Sequence, residues 1–422
     1  MSIYYVSNDG CDQNDGLSPA SAWKTIWKAN STHQSGDEVR FRRGDTFYGT
    51  ILSKTGISRS QPTVYSAYGE GDKPVICQLK TVKKGVWEKF SENVYRVDIF
   101  NTNNFTGNTL NQDKNVGFMD IDGTIFYEKK FALEDLKNQW DFYCDDYNRE
   151  TPYVYVYSNA SPDTLCETFS VACNIHGTYF RDYIKVENLN FTGTGGHGIC
   201  LSGKHSVVSH CEFHRIGGSC LLSHKNANVR YGNGVETWAD SSDITVEYCK
   251  FSEIYDVAMT MQGAPVHTSW ENIRFRHNTV WNCVQAFEIW SGGEGRFEPD
   301  TGFKNCWFEH NTCINSGFCW GYEARPIKDC SAHLLLYSLF CPHCDIHVHD
   351  NLFYGAKVSS IFKRNGPQEI PAGYKIYDNT FIKESGQPIA LPDPSTTAEQ
   401  LEAFEAKIAA NNRIIDMPNF KI

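Results

Sequence analysis

From Asp182 onward the apolar positions of the chain fall into a repeating frame. With Leu189, Cys211, Cys249, Asn278, Asn311, Asn351 and Asn379 as reference points, the intervals are 22, 38, 29, 33, 40 and 28 residues. Three residues before each stands Val186, Val208, Val246, Phe275, Phe308, Val348 or Ile376, and two after stands Phe191, Phe213, Phe251, Val280, Cys313, Phe353 or Phe381. A unit this small cannot bury its own apolar face, so the pattern predicts coils of a solenoid whose strands pair in parallel, about 4.8 Å apart. The Asn of the later coils suits a sharp bend, where it tolerates a left-handed backbone and reaches its counterpart one coil away.

The rest of the chain is organised around these coils. Residues 1–75 read as an N-terminal cap and first coils, with a strand at Ile3–Val6, a turn-rich loop, a short helix over residues 23–29 and an alternating strand after Gly36. Residues 76–181 show no period. Strand-like runs at Val116–Ile121, 124–127 and Tyr153–Tyr157 around a helical candidate near 133–137 predict a β-rich insertion. The coils fill 182–391 and stop at Pro392-Asp393-Pro394. In the C-terminal cap, 392–422, Ser395 or Thr396 starts a helix that places Leu401, Phe404 and Ile408 on one face to plug the open end. The expected class is all-β, a single-stranded parallel β-helix with an N-terminal cap, a β-rich insertion and a C-terminal capping helix.

Composition narrows the chemistry. Aromatics make up 14% of the chain, in keeping with many short strands, and the net charge of -11 argues against nucleic acid and disfavours a polyanionic substrate. No apolar run approaches a membrane span, and the opening residues lack the basic and apolar regions of a leader; a cytoplasmic location is expected, or a secreted or periplasmic one if a leader has been removed. The sixteen Cys admit a disulfide framework, but Cys211, Cys249, Cys283, Cys306 and Cys313 fall at repeat positions and read as small interior fillers. Asn8, Asp9, Asp12 and Asp15 fit Asx turns more simply than a calcium loop. Cys341 and Cys344, near His347 and His349, have only a partial resemblance to a zinc site, and no metal or cofactor is expected.

The repeat with Asn at the bend, the opening Tyr4-Tyr5-Val6-Ser7 and Gly36-Asp37-Glu38-Val39 resemble the right-handed parallel β-helix proteins of the pectate-lyase-like superfamily, and most of all its bacterial β-helix glycoside hydrolases. That resemblance implies a right-handed coil and a carbohydrate-active enzyme. It leaves the reaction open, because the superfamily includes lyases, hydrolases, epimerases and phage tailspikes.

Candidate chemistry concentrates between Asn233 and Trp290. A strand there buries Val235, Phe287 and Ile289 and presents Glu236, Glu288 and Trp290 on the other side. Glu236 and Glu288 form the expected central pair, two coils apart, with Asp256 on the adjacent coil as the competing partner. Trp238, Trp290 and Trp320 offer faces for sugar rings. Gln262, Tyr322, Arg325, His333 and Tyr337 are candidate partners for hydroxyls, several of them on a predicted loop over 321–343, and another wall is expected from a loop over 223–233. The leading expectation is a monomeric glycoside hydrolase acting on a poly- or oligosaccharide; a polysaccharide lyase and a non-catalytic glycan binder are the alternatives.

Overall fold

The computed structural model describes residues 1–418 apart from 111–112, 149–150, 225–227, 264–268, 293–297, 327, 329, 365–371 and 392–395. The predicted stop at Pro392-Asp393-Pro394 and the candidate cap Ser395 lie outside the described residues. Among those described, three parallel sheets of ten, nine and ten strands run the length of a β-helix. Pairing is in register from coil to coil: Phe191 opposes Phe213, and Phe213 opposes Phe251. Side chains that share a register position therefore stack inside the coil, as those three rings do at 5.5 and 4.8 Å between centroids. One continuous apolar core results. Cys211, Cys249, Cys283, Cys306 and Cys313 are buried in it as fillers, and all sixteen Cys are free thiols.

The Asn ladder forms, with a different division of labour at the bend. The Oδ1 atoms of Asn311, Asn351, Asn379 and Asn412 each accept from the backbone N and the Nδ2 of the preceding Asn, at 2.8–3.1 Å. The left-handed residue is the one before each Asn, namely His277, His310, Asp350 and Asp378, with φ between 53° and 55°. The prediction of a left-handed Asn is thus corrected: the Asn amide must turn inward to meet the ladder, and its neighbour takes the reversal with its side chain outside. Asn311 also donates from Nδ2 to Phe275 O at 3.0 Å. Asn311→Ala leaves several buried groups unpaired, and a loss of about 3 kcal/mol in unfolding free energy is expected from denaturant titration; a change within ~0.5 kcal/mol would refute the ladder's structural role.

The ends differ in detail from expectation. Trp23 belongs to a bridge with Val6 and stacks on Tyr4, and the helix starts later, at Ile26–Thr32, capped by Thr25. Asp12 accepts from the backbone N of Lys24 and Thr25, and Asp15 accepts from Leu17 N and Ser21 Oγ, so these carboxylates are committed to turns. At the other end the helix is Ala398–Asn411, with Thr397 and Gln400 forming a capping box, and Ile408 buried against the core. The coil does not end at Leu391. After the helix, Arg413–Met417 rejoins the third sheet beside Thr380–Glu384.

Between the early coils, residues 80–173 supply two five-stranded, mostly antiparallel sheets around a core of their own. Arg230 pins them to the β-helix, donating to Gly218 O on one side and Gly117 O on the other, each at 2.6 Å, while Asn115 exchanges hydrogen bonds with the Cys220 backbone. The insertion is therefore fixed to the coils.

Candidate active site

The site lies on the nine-stranded sheet. Alternation along its strands sends Val235, Met259, Phe287 and Leu334 inward as one column and Glu236, Thr260, Glu288 and Leu335 outward as the next. Two residues further along, Trp238, Gln262, Trp290 and Tyr337 form a second outward column. Glu236 and Glu288 thus share one wall, two rungs and about 9.6 Å apart at the backbone. The position that opposes Glu236 on the middle coil is Thr260. Three acids in a row, with Asp256 the middle one, is therefore incorrect: Asp256 sits in the bend before the Val257–Gly263 strand.

Both glutamates are outward yet hardly exposed, at 3% for Glu236 and 8% for Glu288. Three donors converge on Oε2 of Glu236: His197 Nε2 at 2.6 Å, Gln262 Nε2 at 2.7 Å and Asn233 Nδ2 at 3.2 Å. The His197 tautomer follows from its other nitrogen. The backbone N–H of Asn233 donates to Nδ1 at 3.0 Å, which leaves the proton on Nε2, facing the carboxylate. His197 is itself held between the stacked ring of His176, 4.7 Å away, and Tyr231 at 5.0 Å. Oε1 of Glu236 meets only a weak donor among these contacts, the Cys200 thiol at 3.8 Å. One oxygen is anchored by three donors; the other is not.

Glu288 has the opposite surroundings. Burial, and then the negative charge of Asp256, push its carboxyl up to about 8, against the hydrogen bond from Thr260 Oγ1 at 3.3 Å and the positive charge of Arg325. At neutral pH Glu288 keeps its proton. Glu288, raised by burial, thus shares one wall with Glu236, whose Oε2 is anchored by three donors.

Arg325 and Asp256 form an ion pair, and Arg325 also donates to Tyr255 O and lies over the Tyr255 ring at 4.9 Å. Asp256 therefore acts on the site through its charge, and Arg325 is occupied by it. Trp320 is no sugar platform: it is buried against Phe118 and Tyr255, with Nε1 donating to Glu253 O at 3.0 Å, and so joins the insertion to the coils. His333 is also corrected. It is buried, bonded through Nδ1 to Ser316 Oγ at 2.8 Å and packed on Phe353, and burial lowers it to about 3. Tyr322 is flanked by Lys357 and Lys328, 4.1 and 4.9 Å from its ring.

The predicted loop over 321–343 resolves into the end of a short helix, Trp320–Glu323, and a sheet strand, Ala332–Leu339, which is why Tyr337 stands in the outward column; residues 327 and 329 lie outside the described set. The other predicted loop, 223–233, contains the Arg230–Tyr231 strand, with 225–227 outside the described set. Cys341 packs in the core and His347 stacks on Trp307 at 4.1 Å; among the described residues no cluster of three or more metal-ligating side chains is found. An apolar cavity of about 280 Å³ under the C-terminal helix, between Tyr374 and Phe404, holds none of the acids.

His197, Asn233, Cys200 and Thr260 were missed by the sequence reading. A signal existed for Cys200 and Thr260, since they occupy the register positions that flank Glu236 once coils are aligned.

The family model described as "Right handed beta helix region" matches residues 169–398. No curated protein matches the chain by sequence. Among solved structures, XylC in complex with xylose is similar, with 14% identity, a TM-score of 0.54 and coverage of 99% of this chain and 84% of that one. An alginate lyase from Paenibacillus sp. str. FPU-7 aligns at 11% identity and a TM-score of 0.47 over 98% and 99% of the two chains. A lacto-N-biosidase from Eubacterium ramulus aligns at 12% and 0.41 over 99% and 68%. The structural neighbours thus include both glycoside hydrolases and polysaccharide lyases built on this fold.

Proposed function

The chain belongs to the right-handed β-helix family, and on that premise we propose that it is a glycoside hydrolase acting on a neutral poly- or oligosaccharide, with Glu288 as general acid and Glu236 as the catalytic carboxylate. The observation that carries this reading is the pairing of a carboxyl kept protonated by burial with one anchored by three donors, on one wall. Glu288 delivers its proton to the glycosidic oxygen as the bond to the anomeric carbon breaks. Glu236, held through Oε2, takes a proton at Oε1 from the water that attacks from the other side. Two rungs of the sheet, each about 4.8 Å, lie nearer the roughly 6.5 to 9.5 Å carboxyl spacing of inverting enzymes than the roughly 5 Å of retaining ones, so the product is expected with inverted anomeric configuration, read by proton NMR of the first turnovers.

A lyase needs a cation at the uronate carboxylate, and Arg325, the cation acting on Glu288, is engaged by Asp256. The test is incubation with neutral and with uronate-containing glycans. New reducing ends without ultraviolet-absorbing unsaturated products support the hydrolase; unsaturated products would replace it with a lyase, and no product at all with a binder.

Trp238 is 41% exposed at the head of the second outward column. Its indole offers a large flat apolar face on which a sugar ring can pack. Trp238→Ala is expected to raise KM roughly tenfold with kcat nearly unchanged in steady-state kinetics. An unchanged KM would remove Trp238 from the substrate path.

A further inference from the structure

Two imidazoles are anchored alike where the chain enters the nine-stranded sheet, and they differ in what stands before Nε2. His197 accepts the backbone N–H of Asn233 at Nδ1, 3.0 Å away, and His176 accepts the backbone N–H of His197 at Nδ1, 2.8 Å away. Each ring therefore carries its proton on Nε2. The rings stack at 4.7 Å and 14°, so their Nε2–H groups point the same way from successive coils. Three residues beyond Asn233 stands Glu236, whose Oε2 accepts from His197 Nε2 at 2.6 Å. Three residues beyond His197 stands Cys200, which holds the register position of Glu236 one coil earlier. Its side chain stops at Sγ, short of where a carboxylate oxygen would lie, and among the described residues no side chain or carbonyl accepts from His176 Nε2.

The resulting gap is reachable from solvent. Cys200 is half-buried, and Tyr179, the next member of the outward column, is 55% exposed and meets the His176 ring edge-on at 4.7 Å. Burial, and then the neighbouring His197, hold His176 well below the ordinary imidazole range, so the donor is a neutral N–H.

We propose that His176 is a substrate-binding residue, donating from Nε2 to a hydroxyl of the sugar unit that lies over Cys200, against Tyr179. This rests on the hydrolase reading above and extends it to the sugar unit on the N-terminal side of Glu236. The surroundings select a hydroxyl. The Cys200 backbone is one rung, about 4.8 Å, from that of Glu236, so a uronate carboxylate in this place would face a negative neighbour with only an uncharged donor to receive it. A hydroxyl accepts from the neutral N–H without that cost, and its bond to His176 fixes the sugar beside Glu236 Oε1, which Cys200 Sγ approaches at 3.8 Å.

The test uses the full chain and the neutral xylo-, gluco-, manno- and galacto-oligosaccharides; the series that is cleaved is then offered as its monodeoxy analogues, one hydroxyl missing at a time. His176→Asn keeps an amide oxygen able to accept from the His197 N–H but has no donor at the Nε2 position, whereas His176→Gln can place its amide N–H there. For one hydroxyl, the wild type and His176→Gln are expected to lose roughly tenfold in kcat/KM on its removal, while His176→Asn, already roughly tenfold below the wild type, loses nothing more. The three proteins are expected to share a thermal midpoint. A His176→Asn variant that discriminates among the deoxy analogues as the wild type does, or a pair of variants that melt early and lose activity on every analogue alike, would overturn the proposal while leaving the hydrolase in place. Cleavage of none of these series by the wild type, or unsaturated products from uronate glycans, would overturn the hydrolase reading and this inference with it.

Discussion

Glu236→Gln is expected to lower kcat by about 10³-fold while leaving the thermal midpoint nearly unchanged. The reason lies in how the carboxylate is held. His197 Nε2, Gln262 Nε2 and Asn233 Nδ2 all donate to one oxygen, and the carbonyl oxygen of a glutamine can accept in its place. What the amide cannot do is take a proton from water at the Oε1 position. The loss should persist on an aryl glycoside with a good leaving group, because activating the attacking water does not depend on how easily the aglycone departs. If this variant turned over at the wild-type rate, the site would be misassigned, whatever the reaction class. Reduced stability together with reduced activity would point instead to a structural role for the anchor.

Glu288→Gln is expected to cost 10²- to 10⁴-fold in activity, about what a positioned general acid contributes, and to recover on an aryl glycoside whose leaving group needs no proton. In the wild type, kcat/KM should fall as pH rises through about 8, when Glu288 loses its proton. The same residue governs stability with a definite sign. Its carboxyl titrates near 4.5 in an unperturbed setting and near 8 in the fold, so between those values the folded protein binds a proton that the unfolded chain has released. Stability from this group therefore falls as pH rises across that window and levels off above it. The neutral amide removes the dependence. Calorimetry should show Glu288→Gln melting above the wild type at pH 8, by roughly a few degrees, with the gap closing at pH 4. An equal gap at both pH values would mean that Glu288 is not held protonated by its surroundings.

Much of this was legible in the chain because strand alternation is local. Once Val235 and Phe287 are inward, Glu236 and Glu288 must be outward, and the repeat puts them two coils apart without any knowledge of tertiary contacts. The same reasoning failed for Asp256. Its coil gives a carboxylate at an attractive distance along the chain, but only the pairing of Glu236 with Thr260 shows that Asp256 lies in the bend. Trp320 and His333 failed for a different reason. An indole or an imidazole serves equally as interior packing or as a surface ligand, and nothing in the residue type says which.

The sequence by itself determined the coil architecture, the inward and outward sets of side chains and the two glutamates on a common wall, because each depends on spacing along the backbone. It could not determine that His197 locks one oxygen of Glu236 or that Arg325 is taken up by Asp256. Those facts arise where side chains from distant coils and from the insertion meet, and hydrogen bonding, charge and solvent exclusion at such junctions depend on three-dimensional distance rather than on position in the chain.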